Sequence, residues 1–193
     1  MELVKSHLAG LVRFSGREAR QPFWLWAALV VGFNMAAMML FMIPAMVGTF
    51  SRIEAFAAAH PDQVTRTVGP GSYSIQVEGH HPELMPDFTM IFGASLISAV
   101  LSIVLLAAAV TRRLHDSDRR GVWGMVPALF LIGGLVGMSY MFASFLGPDE
   151  PPMGLFVALL LNNLVYLVSL GVLVVLLALP GTPGENRFGP LPV

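Results

Sequence analysis

Four long apolar runs alternate with polar segments along this chain: Pro22 to Val47, Phe88 to Val110, Val122 to Leu146 and Met153 to Leu179. Each is between 23 and 27 residues long, and none contains Asp, Glu, Lys, Arg or His. A bilayer core about 30 Å thick takes roughly 20 helical residues, so each run can cross it with some tilt. The pattern predicts an all-α membrane protein with four transmembrane helices, residues 1–193 forming a single polytopic domain. The first run follows 21 residues, ten of them polar or charged, and exceeds the roughly 7 to 15 residues of a signal-peptide core, which predicts that it stays in the mature protein.

The segment between the first two runs, residues 48–87, is too long for a plain connector. Thr49 to His60 reads as a helical extension with Phe50, Ile53 and Ala57 on one side. Beyond it, Val64, Arg66 and Val68 alternate with Thr65 and Thr67, Gly69-Pro70-Gly71 breaks the chain, and Tyr73, Ile75 and Val77 alternate with Ser72, Ser74 and Gln76. This predicts a small β-hairpin, which needs something to pack on. Before the first run, Ser15-Gly16-Arg17-Glu18 has capping-box spacing and predicts a short interfacial helix starting at Ser15, with Pro22 opening the first span or kinking it.

Small and polar residues inside the runs mark expected helix contacts. Ala94, Ser98 and Ser102 recur at i, i+4 and i+8, and Gly133 and Gly137 form a GxxxG. In the last run Asn162, Tyr166 and Ser169 share a face with Asn163 beside it, which reads as interhelical glue or as the lining of a solute path.

Composition agrees with the pattern: 55% of residues are hydrophobic and 12% charged, about half the charged fraction of soluble domains. The 11 Lys and Arg against 12 Asp and Glu leave no bulk charge to attract nucleic acid. The absence of Cys excludes disulfides, thiolate catalysis and Cys-based zinc or iron–sulfur sites.

Nine of the eleven cations lie in the N-terminal segment, the 111–121 loop and the tail. Only Arg52 and Arg66 fall in the other two loops. Because Lys and Arg accumulate on the cytoplasmic side, both termini are expected there, with the hairpin loop outside. Trp24, Trp26 and Trp123 fall near the same side, where indoles sit at headgroup level.

That topology brings three segments to one face: Arg13 to Trp24, Arg112 to Trp123 and Pro180 to Pro190. The trio resembles the bacterial inner-membrane proteins grouped as domain of unknown function 805, the YhaH-like family, whose pattern runs F-x-G-R-x-x-R-x-x-F-W, then R-R-L-H-D-x-G-x-S-G-W-W, then P-G-x-x-G-x-N-R-Y/F-G-P. Asp118 stands where the family has Gly, Arg120 where it has Ser, and Val122 replaces the first Trp of the pair, while Arg112, Arg113, His115, Asp116 and Trp123 match. The long outer loop is an elaboration on the family core. The resemblance implies a small multi-pass protein of the bacterial inner membrane, and no reaction.

The cation cluster admits three readings. If the second span continues as a helix past Val110, Arg112, Arg113 and His115 lie at its C-terminal end, with Arg112 at i, i+4 from Asp116. The arginines then only fix topology and reach to headgroups. Alternatively, Arg17, Arg20, Arg112, Arg113 and Arg187 converge with Glu18 and Asp116 into an ion-paired staple. A third reading makes them a pocket for an anion or an anionic lipid headgroup.

His115-Asp116 is a weak acid/base pair, and no catalytic site is expected. On the outer side His60, Asp62, Glu78, His80, His81 and Glu83 lack a recognised ligand spacing, so neither metal nor cofactor is expected. The expected function is a structural or interaction role in the membrane, engaging anionic lipid, a protein partner or a second copy of the chain. The alternative is a small-solute transporter or channel subunit acting as an oligomer, with Asn162 and Asn163 on the path.

Overall fold

The computed structural model describes residues 2–79, 81–146 and 152–192. Four of its helices are long and apolar enough to cross a membrane, which makes the chain a multi-pass membrane protein. The helices are α1 (Glu2–Ala9), α2 (Arg20–Ala59), α3 (Phe88–Asp116), α4 (Met125–Leu146) and α5 (Met153–Ala178), with one hairpin of β1 (Val64–Gly69) and β2 (Ser72–Val77).

The interfacial helix expected at Ser15 is not there. The short helix is α1, nearer the N-terminus, and α2 begins at Arg20 with no side-chain cap. The Glu18 carboxylate that would have closed the capping box is drawn away by Arg112 and His7, because a charge-assisted pair outcompetes a bond to a backbone N–H. Pro22 lies in the first turn of α2, where its missing N–H would have had no helical partner.

At 40 residues α2 is about 60 Å long, roughly twice the hydrocarbon thickness, so its last third projects beyond the apolar run as the sequence pattern predicts. Against this projection lies the hairpin, antiparallel and in register from Val64↔Val77 to Gly69↔Ser72. Gly71 closes its turn at φ +76°, a conformation that costs a side chain but not glycine. Ile75 and Val77 face Met46, Phe50 and Ile53 across an apolar cleft of about 420 Å³, and His81 lies against Phe56. Ile75 and Val77 are half-buried there while Val68 and Tyr73 stay exposed, so that surface supplies part of the packing an isolated hairpin lacks.

Helix α3 starts on an Asp87 cap, whose carboxylate accepts from Met90 N at 2.9 Å. Its small-residue face meets α2: Asn34 Nδ2 donates to Ser98 Oγ at 2.6 Å and to Ser102 Oγ at 2.7 Å. Phe142 of α4 stacks on Phe88 of α3. Along the α4/α5 seam, Asn162 and Leu159 lie where a side chain on Gly134 or Gly137 would collide, which explains the glycines there.

The buried apolar cluster, Phe23, Trp26, Val30, Ala109, Leu114, Leu173, Leu176 and Leu177, gathers at the end that carries both termini. Elsewhere most of the large apolar side chains of the helices are exposed, as lipid-facing side chains are. Trp26 belongs to this core and not to a headgroup belt: its indole N–H donates to Leu105 O at 3.0 Å and its ring stacks on His7. Trp24 and Trp123 remain exposed.

Candidate functional site

Helix α3 ends in Arg112, Arg113, Leu114, His115 and Asp116, and successive residues 100° apart aim at different neighbours. Arg112 reaches the N-terminal segment. Its Nε and Nη2 contact Glu18 Oε2 at 2.9 and 2.8 Å, and Nη1 donates to Gly10 O and Arg13 O. The other Glu18 oxygen lies 2.8 Å from His7 Nε2, while His7 Nδ1 lies 2.8 Å from Leu3 O, so α1 is tied to α3 through one carboxylate.

Arg113 points inward and is 0% exposed. Its guanidinium donates from Nη1 to Asp116 Oδ2 and to Glu18 O, from Nε to Leu177 O at 2.9 Å, and from Nη2 to Leu179 O. The last two acceptors belong to the C-terminal end of α5, where carbonyls lack helical donors and the helix dipole favours a cation. Arg113 is thus a cap on α5 supplied by α3.

The second Asp116 oxygen, Oδ1, takes Arg17 Nε at 3.0 Å and Nη2 at 2.9 Å. The Arg17 side chain is also 0% exposed, and its remaining donors reach Thr182 O at 2.9 Å and Gly184 O at 2.6 Å in the tail. Two cations against one carboxylate would be costly in a dry site. Here the excess charge is met by carbonyl oxygens on α5 and the tail. Gly181 passes so close that any Cβ there would strike the Asp116 carboxylate.

The tail then wraps the end of α3. Asn186 Nδ2 donates to His115 O at 2.9 Å and to Thr182 Oγ1 at 2.9 Å, and its Oδ1 accepts from Phe188 N. The Phe188 ring lies on the His115 imidazole with centroids 3.8 Å apart and planes 4° from parallel. His115 Nδ1 lies 3.2 Å from Gly16 O. Outside this knot Arg187 pairs with Asp118 at 3.0 Å, both about half exposed.

The structure therefore brings Arg17, Arg112, Arg113, His115 and Asp116 into one bonded network, with Arg20 and Arg187 beside it but making no bond to its carboxylates. Arg112 does not pair with Asp116 at i+4; Glu18 takes it, and Arg113 at i, i+3 reaches Asp116 instead. Arg20 is exposed, and no side-chain bond to it is found among the described residues. Arg187 pairs with Asp118 and not with Glu18 or Asp116. An open cleft of about 480 Å³ lies between α1, the Arg13–Glu18 segment and the tail, but the Arg17 and Arg112 guanidiniums on it are already engaged, leaving Arg13 exposed at its edge.

On α5, Asn162 Nδ2 donates to Phe130 O of α4 at 3.0 Å, and Ser169 Oγ bonds within its own helix to Tyr166 O. Tyr166 is half-buried, whereas Asn163 is exposed. At the hairpin end His81 engages Glu83 at 2.9 Å and Glu78 O at 3.1 Å; His80 lies outside the described residues. No cluster of metal-binding side chains occurs among the described residues.

Several partners were not singled out from sequence. Asn34 is the lone amide of the first apolar run, a signal available in the pattern. Thr182 and Asn186 stand inside the tail motif, but their acceptors are backbone carbonyls that no sequence identifies. His7 carried no signal.

No curated protein and no solved structure matches the chain. A family profile does, over residues 11–190, a stretch that begins beside the Arg13 motif and ends at the last residue of the tail motif. The chain thus belongs to the family of proteins of unknown function described as DUF805.

Proposed function

We propose that this chain is a non-catalytic protein of the bacterial inner membrane, with both termini cytoplasmic, whose arginine cluster is an internal staple and whose exposed cations hold the platform on anionic lipid. The observation that carries the reading is the state of Arg17 and Arg113: both side chains are fully buried and their donors are taken by Asp116 and by carbonyls of α5 and the tail. A ligand pocket would keep donors free. Lipid contact then falls to exposed Arg20 and Arg120, flanked by exposed Trp24 and Trp123, cations and indoles suited to an anionic headgroup layer. The α5 amides favour packing over a solute path, since Asn162 is bonded to Phe130 O against the glycines of α4.

The test is the pair Arg112→Lys/Arg113→Lys in neutral and in anionic bilayers. Lysine preserves the charge that sets topology but cannot reproduce the planar fork. A staple predicts lower thermal stability of the pair in both lipids by a similar amount, with the anionic-lipid increment of the wild type retained. Wild-type stability of the pair would overturn the staple. Loss of the lipid increment alone would return these two residues to a headgroup pocket.

A further inference from the structure

Two adjacent amides near the middle of α5 have different fates. Asn162 is satisfied by Phe130 O of α4. Asn163, about 100° further round the helix, is exposed and makes no hydrogen bond to any described residue. Its position near the midpoint of Met153–Ala178 is the depth at which lipid offers neither donor nor acceptor. Asn34, the other amide within the spans, is bonded to α3. Asn163 is therefore the span amide left without a partner among the described residues.

Its neighbours have a period. Phe156, Leu160, Asn163, Leu167, Leu170 and Val174 follow each other at steps of four and three, the seam of a left-handed helix pair, and all but the half-buried Leu170 are exposed. The helix packs on α4 through a different side, that of Leu159 and Asn162. Gly171, i+8 from Asn163, leaves open space for close approach.

We propose that this face of α5 is an interface with a second copy of the chain, paired parallel about a twofold axis along the membrane normal, with the two Asn163 carboxamides exchanging hydrogen bonds. A second copy fits better than an unlike partner because a carboxamide carries both donor and acceptor and is self-complementary. In an isologous contact the same residue from each copy meets at the axis, so one side chain satisfies both. A single Asn in an apolar seam also fixes register and pairing number, which leucines alone do not.

The absence of Cys permits a direct test. Single cysteines are placed at Leu160 and Leu167 on the proposed face, and at Leu161 and Val168 on another exposed side, then oxidised mildly in native membranes. Leu160→Cys and Leu167→Cys should give disulfide dimers; Leu161→Cys and Val168→Cys should not. Adding Asn163→Leu to Leu167→Cys should weaken dimerisation about tenfold, the effect of losing two interhelical hydrogen bonds in lipid, and Asn163→Gln should restore most of it. Energy transfer between wild-type copies labelled at the C-terminus, measured on dilution with lipid, provides a readout free of cysteines. Equal cross-linking at all four positions, dimers indifferent to Asn163→Leu, no energy transfer at any lipid ratio, or adducts with an unlike protein alone would each overturn the proposal.

Discussion

Asp118 follows the end of α3 with φ +57°, the sole described residue other than glycine with positive φ. The pattern that the chain resembles usually has Gly here, and the left-handed conformation of Asp118 is one that glycine adopts at little cost. Aspartate tolerates that region better than most residues but still bears part of a penalty of about 1–2 kcal/mol. Its pair with Arg187, about half exposed on both sides, returns roughly 0–1 kcal/mol. Asp118→Gly should therefore leave thermal stability within about 1 kcal/mol of wild type. Asp118→Val should lower it by about 2 kcal/mol, because a β-branched side chain is disfavoured at that φ and the pair is lost as well. Unfolding curves in mixed micelles distinguish the two. A Gly variant as damaged as the Val variant would mean that the Arg187 pair, and not the backbone, governs the turn.

At the scale of elements, the spans were legible because hydrocarbon imposes one requirement, a run of apolar residues in helical hydrogen bonding. The ends were less so. Both α2 and α3 run past their apolar runs: the spacing of Phe50, Ile53 and Ala57 marks the extension of α2, whereas hydropathy does not mark where α3 stops once it passes Val110. The capping box at Ser15 was misleading for a similar reason: it is a local signal, and the distant Arg112 wins Glu18. Seams were half legible. Ser98, Ser102 and the α4 glycines were readable as contact surfaces, but which amide would meet them was not. If Asn34 and Asn162 act as glue, Asn34→Leu and Asn162→Leu should each lower stability by about 0.6–2 kcal/mol. They sit on different helix pairs, α2/α3 and α4/α5, and share no bonded partner, so their effects should add within about 0.5 kcal/mol in the double variant. Strong non-additivity would mean that the two seams are mechanically one.

For the whole molecule, the sequence identified which segments would meet and missed how. Arg17, Arg112, Arg113, His115 and Asp116 were predictable as a group because four spans return three basic motifs to one end. The distribution of their bonds was not, since most of the acceptors are backbone carbonyls such as Leu177 O, Leu179 O, Thr182 O and Gly184 O, whose positions exist only in the fold. The same convergence bears on orientation. Nine of eleven Lys and Arg belong to the segments gathered at the termini-bearing end, and Arg52 and Arg66 alone lie toward the hairpin. Because cations resist translocation, fusions at Val193 should report cytoplasm and insertions at Gly71 the opposite side. Charge alone makes a weaker prediction than charge with the staple. If orientation depended only on charge, Arg17→Gln with Arg113→Gln would leave seven cations on that end and the topology unchanged, with the tail still held. With the staple, the same pair frees Asp116 and the tail carbonyls, so protease cleavage near Gly184 should accelerate while the reporter at Val193 stays cytoplasmic. An accelerated cut with unchanged orientation separates the two roles of the arginines. A tail that stays protected in the variant would remove the staple, and a reporter that moves outside would remove the four-span orientation on which the convergence rests.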